Sequence, residues 1–187
     1  MPRVERIVFT LAVDSALELR QLERGEAAML FALTKKNYTY LRRWLPWLDD
    51  TYSADDSRAF IESGHERYAN RESMELGVWH RSALVGMVAF NQFAWGSRSG
   101  ELGYWLDAEA QGSGLMTRAC RALIAHGFSE LDLHRVEIRC AVNNLKSRAI
   151  PERLGFRHEG RLREVEWLYD HFVDQIVYGL LAREKLQ

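Results

Sequence analysis

Residues 16–22 alternate, with Leu17 and Leu19 on one side and Glu18 and Arg20 on the other, which is the period of a half-buried strand. Over 23–43 the alternation is lost and the spacing predicts helix, which Pro46 interrupts because its nitrogen has no hydrogen to donate. Ser53, followed by Asp55 and Asp56, reads as an N-cap with an acidic first turn and predicts a helix over about 54–69. Period two returns at Met74, Leu76 and Val78, and the near-continuous apolar run Leu84–Phe90 predicts a more buried strand. A polar turn, Trp95–Gly100, separates it from a further strand at Glu101–Leu106, so these three runs read as an antiparallel meander.

The second half is patterned more sharply. Leu115, Met116, Ala119, Cys120, Leu123, Ile124 and Phe128 form one helical stripe, with Arg118 and Arg121 outside it. Val136, Ile138, Cys140 and Val142 then alternate with Arg135, Glu137, Arg139 and Ala141, a strand. A short helix is expected from about Ser147 to Leu154, closed by Gly155. Segments 156–168 and 172–182 read as a hairpin around Tyr169-Asp170. The sum is a mixed sheet with helices packed on it.

At 187 residues, with no Pro/Gly/Ser-rich linker and no repeat, a single domain over 1–187 is expected. The formal net charge of -1 argues against a general nucleic-acid or membrane-surface binder, whose footprint would be basic. Cys120 and Cys140 form no disulfide framework and fall within apolar patterns, as small buried hydrophobes do. The six histidines show no metal spacing. Arg3, Glu5 and Arg6 precede no apolar stretch of signal-peptide length, so a cytoplasmic location is the default expectation.

Candidate chemistry begins at Gln111-Gly112-Ser113-Gly114-Leu115-Met116, the turn opening the striped helix. The first amides of a helix have no intrahelical partner, and glycines let an anion approach them closely. A diphosphate cradle and an ordinary glycine turn both fit. A Walker loop does not, because Leu115-Met116 stands where Lys-Ser or Lys-Thr is needed. A dinucleotide fingerprint lacks its third glycine, and the preceding strands form a meander.

This hexad resembles the Gln/Arg-x-x-Gly-x-Gly/Ala signature of GNAT-superfamily acetyltransferases, departing from it at Met116. Met116-Thr117, Glu101–Leu106, and Asn144-Leu-Lys-Ser147 running on to Pro151-Glu-Arg-Leu-Gly-Phe156 are similar to the ribosomal-protein-serine (RimL-like) branch. The resemblance, over roughly 16–182, implies a GNAT fold of α+β class with a mixed, mostly antiparallel sheet of about seven strands and helices on both faces. It implies that acetyl-CoA is held by Trp105, Leu106, Gln111, Gly112, Ser113, Gly114, Leu115, Met116, Asn144 and Ser147, without a metal. A backbone N–H from Tyr104–Leu106 would polarise the thioester carbonyl. It further implies Ser147 as the acid for the leaving thiolate, Glu166 as general base, and a structural role for Asp174.

The residues allow plainer readings beside these. Asn144 and Ser147 can cap the short helix. By period two Glu164 and Glu166 share a face opposite Val165 and Trp167, either as solvated carboxylates or as a base beside aromatics. Trp44 and Trp47 are core or a lip over the acceptor amine. Arg161 and Arg163 are a solvated face or a docking patch.

An acceptor must attack as the neutral amine. An α-amine of pKa about 7.7–8.0 is roughly a tenth or more neutral at pH 7, a lysine only about 0.04%, a deprotonation cost of about 1 against about 4.6 kcal/mol. This favours an N-terminal amine of a protein without excluding lysines or polyamines, and the resemblance implies a ribosomal protein's N-terminal serine. A polyamine or antibiotic acceptor, or a non-catalytic acyl-CoA sensor, is the alternative. Because relatives are often dimers, a homodimer stays open.

Overall fold

In the computed structural model residues 8–50 and 53–184 are described; Arg3, Glu5 and Arg6 lie outside them. The alternating runs become strands of one sheet: β1 (Thr10–Ala12), β2 (Leu17–Arg20), β3 (Met74–His80), β4 (Ala83–Ala94), β5 (Ser99–Leu106), β6 (Arg135–Ala141), β7 (Arg157–Leu168) and β8 (His171–Leu181). Their order is β1-β2-β3-β4-β5-β6-β8-β7. The strand beyond the expected seven is β1; its three residues are exposed or half-buried and carry no apolar alternation to announce it.

The helical stretches become α1 (Ala27–Lys36), α2 (Tyr38–Leu41), α3 (Ala54–Ala69), α4 (Leu115–Ser129) and α5 (Leu145–Arg153). The helix expected over 23–43 breaks at Asn37, whose side chain is committed elsewhere: Nδ2 donates to the Leu33 carbonyl and Oδ1 accepts from the Ala108 amide, both at 3.0 Å. For α3, Ser53 is the cap, in a reciprocal box with Asp56.

Neighbouring residues of β4 show how the layers are arranged. Val88 and Phe90 join the main core with the α4 stripe and Leu154 of the α5 end, whereas Met87 and Leu84 join a second cluster with Leu30 and Leu33 of α1 and Ile61 of α3. Adjacent strand residues face opposite ways, so α4 and α5 cover one face of the sheet and α1 and α3 the other. Leu123, fully buried in the α4 stripe, anchors the larger layer. Leu123→Ala is expected to cost about 2–5 kcal/mol in chemical denaturation.

All neighbouring strands pair antiparallel except β5 and β6. These run parallel, in register only from Ser99↔Arg135 to Glu101↔Glu137. Beyond Glu101 the two strands part, and the sheet opens into a wedge between Leu102–Leu106 and Ile138–Ala141.

Candidate active site

Backbone parity fixes what β5 presents to the wedge. The Asp107 amide donates to the Val85 carbonyl, and β5 continues with Leu106 opposite Gly86 and Trp105 opposite Met87. In an antiparallel ladder the bonded pairs alternate, so Trp105 turns its backbone to β4 while Tyr104 and Leu106 turn theirs to the open edge. The Leu106 carbonyl there is taken by the Tyr40 hydroxyl from α2. Of the three residues expected to offer an amide to a thioester, Trp105 is thereby removed as a backbone donor.

Past the end of β5, the chain makes the glycine turn. Gly112 has φ +81° and Gly114 φ +75°, and a Cβ built on either would meet nothing within 4 Å, so the space beside the turn is open. Gly114 is the N-cap of α4; the first intrahelical bond runs from the Arg118 amide to the Gly114 carbonyl, leaving the amides of residues 115–117 for an external acceptor. Leu115 and Met116 are buried in the core, so anything they offer a ligand is backbone. The Ser113 hydroxyl donates back to the Ala110 carbonyl at 3.0 Å, and Lys146 of α5 donates to the Gln111 side chain at 3.0 Å. The preceding connector is pinned to α1, where Lys36 Nζ lies 2.8 Å from Asp107 and 2.7 Å from Glu109.

Across the wedge, the Asn144 side chain accepts from the Ser147 amide at 3.3 Å and caps α5. Ser147 Oγ lies 3.3 Å from Cys140 Sγ, a buried free thiol that burial pushes up in pKa. Both therefore belong to the α4/α5 side of the sheet.

Glu166 belongs to the other side. Cys140 faces the main core, so Ala141 faces away from it; Gln175, its register partner, shares that opposite face and donates to Glu166 at 3.0 Å. Burial pushes the Glu166 carboxyl above its usual range, opposed by the Gln175 hydrogen bond and reinforced by the charge of Glu101. The strict alternation expected around Glu164 fails. Pairing jumps from Leu162↔Gln175 to Glu166↔Val173, Glu164 has φ +50°, and its amide is held by Asp174 at 2.7 Å. This bulge leaves Glu164 exposed and Glu166 half-buried, so the two carboxylates are not equivalent. Asp174 also binds Arg161 Nε at 2.6 Å, which ties that arginine to the strand rather than leaving it free.

Beside Val173, the register partner of Glu166, lies a cleft of about 800 Å³, lined among others by Tyr38, Trp44, Asn143, Tyr169 and Phe172; Glu166 itself is not part of the lining. Trp44 is half-buried in this lining and Trp47 is 38% exposed outside it, so neither is core. The cleft wall is fixed by Arg42, which stacks 3.8 Å over Tyr169 and binds Asp49 through Nε and a terminal nitrogen at 2.8 and 2.7 Å. That pairing, first by hydrogen bonding, holds the Asp49 carboxyl down to about 2.

The model of the acetyltransferase (GNAT) domain matches residues 16–157. The chain belongs to this family. It is an N-acetyltransferase, and its near relatives are of the RimL-like, ribosomal-protein-serine kind. It is 38% identical to YdaF of Bacillus subtilis (strain 168) over 178 residues, 95% of this chain and 97% of that one. It is 31% identical to the ribosomal-protein-serine acetyltransferase of Escherichia coli (strain K12), over 91% and 95% of the two chains. RimL, the ribosomal L7/L12 alpha-N-protein acetyltransferase, was solved in complex with coenzyme A disulfide-bonded to one of its cysteines. It superposes with TM-score 0.90 at 26% identity, covering 92% of this chain and 98% of that one.

In this acetyltransferase the sequence-predicted residues divide between the two faces of the sheet, with Ser147 bonded to Asn144 and Cys140 and Glu166 to Gln175. Sequence reasoning passed over Gln175, whose partner Glu166 lies across the terminal hairpin, and Tyr40, Lys36 and Asn37, whose partners at the end of β5 and just past it lie more than sixty residues along the chain. Among the described residues, no group of three or more His, Cys, Asp and Glu is gathered for a metal, and no helix is long and apolar enough to cross a membrane.

Proposed function

We propose that this chain, acting as a single domain in the cytoplasm, moves the acetyl group of acetyl-CoA to the N-terminal α-amine of a protein, as the ribosomal-protein-serine relatives are named for doing. The observation that carries this is the parted β5/β6 ladder, with Ser147 on one face and Glu166 on the other. A thioester laid through the wedge meets the amine from the cleft side and gives up its sulfur on the helix side.

The open space around Gly112 and Gly114 and the amides of residues 115–117 suit a pyrophosphate. Asn144, while capping α5, lies at the same opening. The outward N–H groups of Tyr104 and Leu106 are placed for the carbonyl oxygen. Glu166, directly or through a water, takes the proton of the incoming ammonium; burial, which raises its pKa, makes it a stronger base. The amine nitrogen bonds to the carbonyl carbon and sheds its second proton to water, the carbon–sulfur bond breaks, and the Ser147 hydroxyl protonates the departing sulfur and regains its proton from that water, while Glu166 releases the first proton to solvent.

Two experiments separate the halves of this reading. With Ser-initiated peptides, polyamines and buffer alone as acceptors, acetyl-CoA consumption is expected to be fastest with the peptides. Faster turnover of polyamines would move the acceptor to the small-amine class, and CoA uptake without turnover would leave a sensor. The sulfur position is tested with CoA disulfide: attack by the Cys140 sulfur releases one CoA thiol and leaves the other CoA attached. Mass spectrometry is expected to show this adduct in wild type and in Cys120→Ser, and not in Cys140→Ser. An adduct that survives Cys140→Ser would place the thiol elsewhere.

A further inference from the structure

Pro151 sits inside α5, where it supplies no amide hydrogen to the carbonyl four residues earlier and its ring crowds that carbonyl. That carbonyl belongs to Ser147. It is met from the other side of the wedge by Tyr104, whose hydroxyl donates to it at 2.8 Å. Tyr104 stands on the open edge of β5, and Ser147 is otherwise held by the Asn144 cap and the Cys140 contact. The phenol is thus the link that ties the serine's own peptide to the strand offering amides to the carbonyl oxygen.

We propose that Tyr104 is a positioning residue: by taking the carbonyl that Pro151 leaves free, it holds the Ser147 hydroxyl in line with the sulfur that leaves across the wedge. This rests on the reading of Ser147 as the acid. Burial pushes the Tyr104 phenol well above its usual range, so it stays a donor wherever the enzyme works. A helix with alanine in place of Pro151 would regain its internal bond and compete with the phenol for one carbonyl. The proline is then part of the same device.

Steady-state kinetics of Tyr104→Phe, Ser147→Ala and the double variant test this, with acetyl-CoA and with its selenoester analogue, whose more acidic leaving group needs less protonation. Tyr104→Phe is expected to lower kcat about tenfold, the worth of one hydrogen bond, with KM for the donor within about twofold. The loss should shrink with the selenoester, and the double variant should be no slower than Ser147→Ala. Amide exchange should rise at the first turn of α5 in Tyr104→Phe, and Pro151→Ala should reproduce part of its kinetic loss while slowing that exchange. Equal losses with both donors, a rise in KM alone, or additive losses in the double variant would overturn the positioning role while leaving Ser147 in place. If Ser147→Ala itself loses nothing with acetyl-CoA, the acid assignment falls first, and this inference with it.

Discussion

The two faces of the wedge are built differently. The helix face takes its parts from neighbours in sequence: Gln111 to Met116 in one turn, and Cys140, Asn144 and Ser147 within seven residues. The cleft face is assembled from segments far apart, as where the Tyr169 hydroxyl donates to the Leu45 carbonyl at 2.5 Å and accepts from the Leu48 amide at 3.2 Å, across more than a hundred residues. One side is a pair of short local motifs, brought together by the bonds of Lys146 to Gln111 and of Tyr104 to Ser147. The other exists only when the whole sheet is in register, and its walls can change without disturbing the first. A scaffold so divided can keep one donor and exchange its acceptors.

If that division is real, the two faces fail separately. Glu166→Gln is expected to produce the largest effect, a fall in kcat of about a hundredfold or more, with CoA affinity by calorimetry unchanged. A parallel loss of CoA binding would mean that the faces are not independent. Gly114→Val forces a branched side chain onto φ +75°. It is expected to weaken CoA binding about 5- to 150-fold, the equivalent of 1–3 kcal/mol of backbone strain, while acceptor KM stays put.

Subtler effects should appear in pH profiles. Gln175→Leu removes a hydrogen bond that lowers the Glu166 pKa, so the acid limb of kcat/KM should move to higher pH. Glu101→Gln removes a like charge that raises it, so the same limb should move to lower pH. Shifts in the same direction would show that Glu166 is not the titrating base.

What the sequence made legible follows the same line. Period two, the apolar run at 84–90 and the two terminal segments located every strand but β1, and a stripe located α4; β6 and α4 were plainest because each buries one face in the core. The glycine turn and the Asn144 cap were readable for the same local reason. Glu166 was reachable only through resemblance, since the alternation that would place it is broken by a left-handed residue at Glu164 that no pattern of apolar positions announces. Gln175, Tyr40 and Asn37 were invisible because hydrogen bonds that cross a hairpin or join separate elements leave no periodic trace.

The bulge that sets Glu164 and Glu166 apart has a second consequence. At twelve residues, β7 is a long margin of the sheet, with a row of peptide groups that another chain could extend into a fibril. Interrupted at Glu159 and again over 163–165, and carrying Arg157, Arg161 and Arg163, it makes a poor template for self-association. Straightening the bulge to simplify the fold would give that margin an unbroken row of groups for another chain to pair with.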